Sequence, residues 1–212
     1  QNNMKIGLYF GSFNPIHIGH LIIANHIAEN SNLDQVWMVV TPHNPLKNKQ
    51  TLLDDYQRLN LVFLATEDYP KIKPSDIEFK LSQPNYTVNT LAHLQDKFPQ
   101  HEFSLIMGED NLKSFHKWKN YEFILENHDI YVYPRITAEL DINHKEELTK
   151  PNSIHTNNPK IHRIDAPVVE ISSTFIRENI KNNKNVRPLL PEKVWEYIDH
   201  NNLYKDFNRK NF

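Results

Sequence analysis

Ten residues near the start of the chain, Gly11-Ser12-Phe13-Asn14-Pro15-Ile16-His17-Ile18-Gly19-His20, restrict its fold more than any other stretch. The run before them, Ile6-Gly7-Leu8-Tyr9-Phe10, is apolar enough for a strand buried on both faces. After them, Leu21-Ile22-Ile23-Ala24-Asn25-His26-Ile27-Ala28 carries apolar residues at helical spacing. A strand over 5–10, a tight Gly/Asn/Pro turn and a helix over 18–29 therefore follow in immediate succession. This is the opening unit of a doubly wound α/β sheet. There the helix N-terminus behind the first strand receives anions, because its N–H groups are unpaired and carry partial positive charge. Gly11 reads as the exit from the strand in a conformation closed to side chains, and Gly19 as a point of close approach to the backbone. Pro15, without an N–H, suits the turn. His17 and His20, three apart, share one face of the first helical turn, where two imidazoles can donate to phosphate oxygens. A zinc pair would need more ligands, and the chain offers no Cys and no third ligand nearby. The glycine-rich dinucleotide fingerprint and the Lys-Ser/Thr ending of a P-loop are both missing.

The remaining chain alternates strands and helices as such a sheet requires. Residues 35–41 read as a buried strand, followed by a proline-punctuated loop in which Lys47 can reach a phosphate. A helix over 54–67 opens on Asp54, with Gln57 placed as in a capping box. Residues 72–81 read as a strand with Ile77 and Phe79 on one side. Asn85 or Thr87 is the expected cap of a helix reaching 98. A strand over 103–108 ends in Gly108-Glu109-Asp110, where Asp110 suits two ribose hydroxyls or a helix N-cap. Trp118, at the end of a short helix, could stack on an aromatic ring or belong to the core. A strand over 129–135 ends in Pro134-Arg135, residues 136–158 read as a long loop, and 161–164 as a last short strand. Ser172, Ser173 and Thr174 can cap a helix to about 182, with the planar fork of Arg177 one turn in, suited to phosphate. Pro191 opens a final helix to 200.

Composition narrows the function. Hydrophobic residues make up 39% and charged residues 24% of 212 residues, which fits one globular domain, taken as 4–205. Gln1-Asn2-Asn3 ahead of Met4 read as an added remnant and 206–212 as a frayed tail. A net charge of −2 argues against a nucleic-acid partner, and no apolar run reaches membrane-spanning length. The absence of cysteine removes disulfides and thiolate chemistry. A cytoplasmic location is the default, and a homo-oligomer is left open.

The stretch 11–20 resembles the Gly-x-Phe-x-Pro-x-His-x-Gly-His signature of the nucleotidyltransferase superfamily, and Ile171-Ser172-Ser173-Thr174-Phe175-Ile176-Arg177 its second signature. Tyr86-Thr87-Val88-Asn89-Thr90-Leu91 is similar to the Tyr-Thr-x-Asp-Thr-Leu segment of the bacterial nicotinate mononucleotide adenylyltransferases, with Asn89 where Asp is usual. The resemblance implies a Rossmann-like fold and transfer of the AMP moiety of ATP to nicotinic acid mononucleotide. It assigns catalysis to His17, His20 and Arg177, and ATP binding to these three with Gly11, Ser12, Phe13, Gly108, Asp110, Ser173 and Thr174. The mononucleotide falls to Asn14, Lys47, Tyr86, Thr87, Trp118 and Arg135. Mg2+ is implied as the partner of the phosphates of ATP, without protein ligands. Rival readings are a superfamily transferase for another acceptor, such as phosphopantetheine, and a non-catalytic nucleotide sensor.

Overall fold

The computed structural model describes residues 2–44, 51–134 and 157–205. Lys47, Arg135, most of the stretch 136–158 and the tail 206–212 lie outside the described residues. Six strands form one sheet: β1 (Lys5–Gly11), β2 (Gln35–Val40), β3 (Ile72–Ser75), β4 (Glu102–Gly108), β5 (Ile130–Tyr133) and β6 (Ile161–Arg163). Their spatial order is β3-β2-β1-β4-β5-β6, with every neighbouring pair parallel. The order reverses between β1 and β4, so a crevice opens beyond their C-terminal ends.

Side-chain alternation along the strands builds two cores. Tyr9, Val36, Met38, Ile106 and Tyr131 face one side, where they meet α1 (Ile18–Asn30), α2 (Asp55–Thr66), α6 (Ser173–Lys181) and α7 (Glu192–His200). Leu8, Val39, Leu105 and Val132 face the other, against α3 (Thr87–Lys97), α4 (Glu109–Lys113) and α5 (Tyr121–Asn127). Apolar residues on both faces are what a parallel sheet covered by two helical layers demands. The expected doubly wound sheet is thus present, with parallel pairing throughout the described strands.

Two local expectations fail. The strand over 72–81 stops at Ser75. Pro74 has no N–H for the ladder, which is tolerable at this sheet edge. Beyond it the chain coils into turns, with Phe79 N–H donating to the Asp76 carbonyl at 2.9 Å and Leu81 N–H to that of Glu78 at 3.2 Å. Ile77 and Phe79 consequently serve opposite cores. Likewise α3 has neither Asn85 nor Thr87 as its cap: Tyr86 occupies that position without a side-chain hydrogen bond. The Asn85 amide instead donates to the Glu78 carbonyl at 3.4 Å. Asp54 does cap α2, accepting from Gln57 N–H at 2.9 Å, and Ser172 caps α6, accepting from Phe175 N–H at 3.0 Å.

Candidate active site

The turn after β1 is built around two histidines that cap α1 reciprocally. The His17 N–H donates to Nδ1 of His20 at 3.1 Å, and the His20 N–H to Nδ1 of His17 at 3.4 Å. This is a capping box with imidazoles in place of the usual Ser and Glu. Since each Nδ1 accepts, the neutral rings carry their proton on Nε2, on the opposite side of each imidazole. The rings stack with centroids 3.7 Å apart. Burial lowers the pKa of His17 to about 4, so it is neutral at ordinary pH and donates without charge.

Sterics around this pair explain both turn glycines, Gly19 as the expected close approach and Gly11 on a ground other than that expected. No glycine adopts a positive φ, and the left-handed residue of the turn is Phe13, at φ 47°. A Cβ on Gly11 would lie 2.9 Å from the Phe13 ring, and one on Gly19 would lie 2.9 Å from Cε1 and Nδ1 of His17. What approaches the backbone at Gly19 is therefore the His17 ring itself. Phe13 is only 2% exposed and packs edge-on against Tyr9 and His20, with centroids 5.9 and 5.1 Å away. Its ring thus abuts that of His20.

The second signature closes on the first. Ser173 Oγ donates to the Pro15 carbonyl at 2.9 Å, and Arg177 donates from Nη1 to the Asn14 carbonyl at 2.8 Å and from Nη2 to Thr174 Oγ1 at 3.3 Å. Two helix N-termini, those of α1 and α6, are thus joined at the switch point. Asn14, expected at the mononucleotide, is 3% exposed and spends its amide internally. Its Nδ2 donates to the Thr51 carbonyl at 2.8 Å, and its Oδ1 accepts from Leu53 N–H at 3.3 Å and from the Tyr204 hydroxyl at 2.7 Å.

Across the switch point, Gly108 ends β4 and precedes α4, packed under the Tyr133 ring. Asp110 stands in the first turn of α4, half exposed, and is not its N-cap. Trp118 is half-buried against Phe115, with centroids 5.2 Å apart. Lys119 Nζ lies 4.5 Å from the centre of the Tyr86 ring, which brings the Trp118 segment beside the N-terminus of α3 and Thr87. An open cleft of about 440 Å3 runs from Ser12, Asn14 and Arg177 past Thr41 to Glu78 and Asn85. Of the predicted residues, Ser12, Asn14 and Arg177 line this cleft, Tyr86 lines a smaller pocket that shares Asn85 with it, and Gly108 and Asp110 stand at the end of β4.

Arg58 and Glu78, both ionisable and buried at this site, escaped the sequence reading. Arg58 is fully buried and donates to four acceptors: the carbonyls of Leu53 (3.0 Å), Ser12 (2.7 Å) and Thr41 (2.8 Å), and Asp55 Oδ1 (2.6 Å). It pins the turn after β1 to the end of β2. A signal existed: Arg58 lies in the same helical stripe as Leu61, Val62 and Ala65, so α2 turns a cation inward. Glu78 is 4% exposed and accepts from Thr90 Oγ1 at 2.6 Å, tying the cleft wall to the first turn of α3; burial raises its pKa.

Comparison with known proteins gives the same picture. Residues 8–179 match the cytidylyltransferase-like family. A "Probable nicotinate-nucleotide adenylyltransferase" of Flavobacterium psychrophilum is 77% identical over 95% of this chain and 100% of its own length. One of Cytophaga hutchinsonii, named alike, is 46% identical over 96% of this chain and 100% of its own. Among solved structures, the nicotinic acid mononucleotide adenylyltransferase of Plasmodium falciparum complexed with NaAD superposes with a TM-score of 0.72. It is 19% identical, covering 95% of this chain and 98% of that one, a likeness of fold.

Proposed function

The chain belongs to the nicotinate-nucleotide adenylyltransferases of the cytidylyltransferase-like family, and on that premise we propose how its own residues carry out the transfer. The reaction joins nicotinic acid mononucleotide to the AMP moiety of ATP. A phosphate oxygen of the mononucleotide attacks the α-phosphorus, the bond from that phosphorus to the bridging β-phosphate oxygen breaks, and pyrophosphate leaves. The attacking oxygen is already an anion, so no protein nucleophile or strong base is required. Alignment and charge stabilisation remain.

The reciprocal His17–His20 cap carries the reading. It presents two Nε2–H donors beside the N-terminus of α1, and the neutral state of His17 holds across ordinary pH. Arg177 and the N-terminus of α6, tied to the same turn, supply further positive character for the triphosphate. Ser12 and Thr174 are assigned to this group through their contacts with Arg58 and Arg177, and Gly11 and Phe13 through the turn they share with Asn14 and Pro15. Asp110 and Gly108, at the end of β4, are assigned to the nucleotide ribose. Tyr86, Thr87 and Trp118 are assigned to the pyridine ring and its carboxylate, because no side chain caps α3 and its first-turn N–H groups suit an anion.

Mg2+ would shield phosphate charge. The ion is assigned to the triphosphate oxygens, which as hard donors suit it. No described helix is long and apolar enough to cross a membrane, and the substrates, soluble nucleotides, fit a cytoplasmic enzyme. Residues 4–205 are taken to act as one unit, because both signatures and both halves of the sheet contribute.

The test is pyrophosphate release from ATP and Mg2+ with nicotinic acid mononucleotide and with its amide, side by side. A kcat/KM for the acid at least tenfold above that for the amide is expected. Equal rates would remove the carboxylate assignment to Tyr86, Thr87 and Trp118. Release with neither would overturn the acceptor.

A further inference from the structure

The stretch after α7 returns a tyrosine to the centre of the molecule. Leu203 N–H donates to the Ile198 carbonyl at 3.0 Å and Asn202 is left-handed at φ 50°, which reverses the chain. Tyr204 follows, itself left-handed at φ 63°. A non-glycine residue holds that conformation only where its surroundings over-determine it. Here the ring packs against the core under α6 and α7, and the hydroxyl donates to Asn14 Oδ1 at 2.7 Å. The phenol is the donor, since an amide oxygen can only accept and burial keeps the phenol protonated despite Arg58 and Arg177 nearby.

Asn14 is where four separate parts of the chain meet. Its side chain holds Thr51 and Leu53, on the way into α2, and Tyr204; its carbonyl holds Arg177. With Leu53 N–H and the Tyr204 hydroxyl both bound, Oδ1 has no remaining lone pair. The orientation of the Asn14 amide is therefore set from outside the turn it belongs to. The carbonyl that Arg177 uses belongs to the same residue.

We propose that Tyr204 is a positioning residue for adenylyl transfer, acting through Asn14 to hold Arg177 and the turn after β1 in register. This rests on the transfer reaction assigned above. Tyr204 does not reach the crevice, where Asn14 and Arg177 form part of the lining. Its effect on catalysis is indirect.

The experiment is Tyr204→Phe in the full chain, which keeps the ring and removes the hydroxyl. Assayed well below the unfolding temperature, kcat/KM for ATP should fall about three- to tenfold, the size of one hydrogen bond. In an Arg177→Ala background the same substitution should cost less than 1.5-fold, because the group it positions is gone. Amide hydrogen exchange over residues 11–16 should quicken at least threefold in Tyr204→Phe, while that of β4 stays unchanged. A lowered Tm with wild-type kinetics and exchange would make Tyr204 a latch for stability alone and overturn the proposal. So would a full additive loss in the Arg177→Ala background. If the unsubstituted chain releases no pyrophosphate, the functional reading fails by itself, and the exchange of residues 11–16 still decides whether Tyr204 holds the turn.

Discussion

Gly19→Ala is the most economical challenge to the site, because it adds one methyl group at a position whose surroundings are known. The new Cβ would lie 2.9 Å from both Cε1 and Nδ1 of His17 and 3.8 Å from Cβ of Ile171. Relief to an ordinary contact needs the imidazole to move by roughly 0.5–1 Å. The ring has little room, since His17 is 5% exposed and stacks on His20 at 3.7 Å, which in turn abuts the buried Phe13. The bond from His20 N–H to His17 Nδ1 is already 3.4 Å long, so such a shift breaks it. Losing that cap costs about 1 kcal/mol and the crowding about 1–3 kcal/mol, offset by up to about 1 kcal/mol from replacing glycine in a helix. The net destabilisation is therefore about 1–4 kcal/mol. Catalysis suffers more, because both Nε2–H donors are re-aimed, and a misplacement of about 1 Å costs on the order of 10²-fold. The assay is kcat for pyrophosphate release alongside urea unfolding. A Gly19→Ala enzyme within threefold of wild-type kcat would refute the claim that the His17 ring position is what Gly19 protects.

Arg58→Leu leaves three carbonyls without their donor and takes the cation from Asp55, which keeps the His43 N–H and is partly exposed; the unpaired carbonyls alone cost about 3–5 kcal/mol. Urea unfolding showing a loss below about 1 kcal/mol would make the network dispensable. His17 supplies a pH dependence whose sign is fixed: burial holds its pKa at about 4 in the folded protein against an ordinary 6.5, so the unfolded chain binds the proton first as pH falls. Stability from this group is complete above about pH 6.5 and is lost towards pH 4, by roughly 3 kcal/mol in all. The stability difference between wild type and His17→Gln, each measured at pH 7.5 and 4.5, should shift by about 2–3 kcal/mol against the wild type at the lower pH. Glu78, whose raised pKa acts in the opposite sense, cancels in that comparison, and a pH-independent difference would contradict the burial of a neutral His17.

Much of the architecture was legible because it rests on local periodicity. The apolar runs of β1, β2 and β4, the helical spacing in α1, and the caps Asp54 and Ser172 are decided by residues within a few positions of one another. So was the location of the crevice, since a strand followed by a helix puts its turn at the C-terminal edge of a parallel sheet. Where local signals misled, tertiary contacts had prevailed: the alternation of Ile77 and Phe79 imitated a strand although the two residues serve opposite cores. The division of labour inside the site was not legible at all. Asn14 read as a ligand because its position lies in a signature, and only the folded chain shows its amide consumed by Thr51, Leu53 and Tyr204. Gly11 read as a backbone licence and Gly19 as a close approach, and they prove to be space for the rings of Phe13 and His17. Neighbours along the chain were enough to set most elements, their order and the two signatures. Folding in three dimensions occupied the Asn14 amide, because the hydrogen bonds that consume it come from residues 37 to 190 positions away.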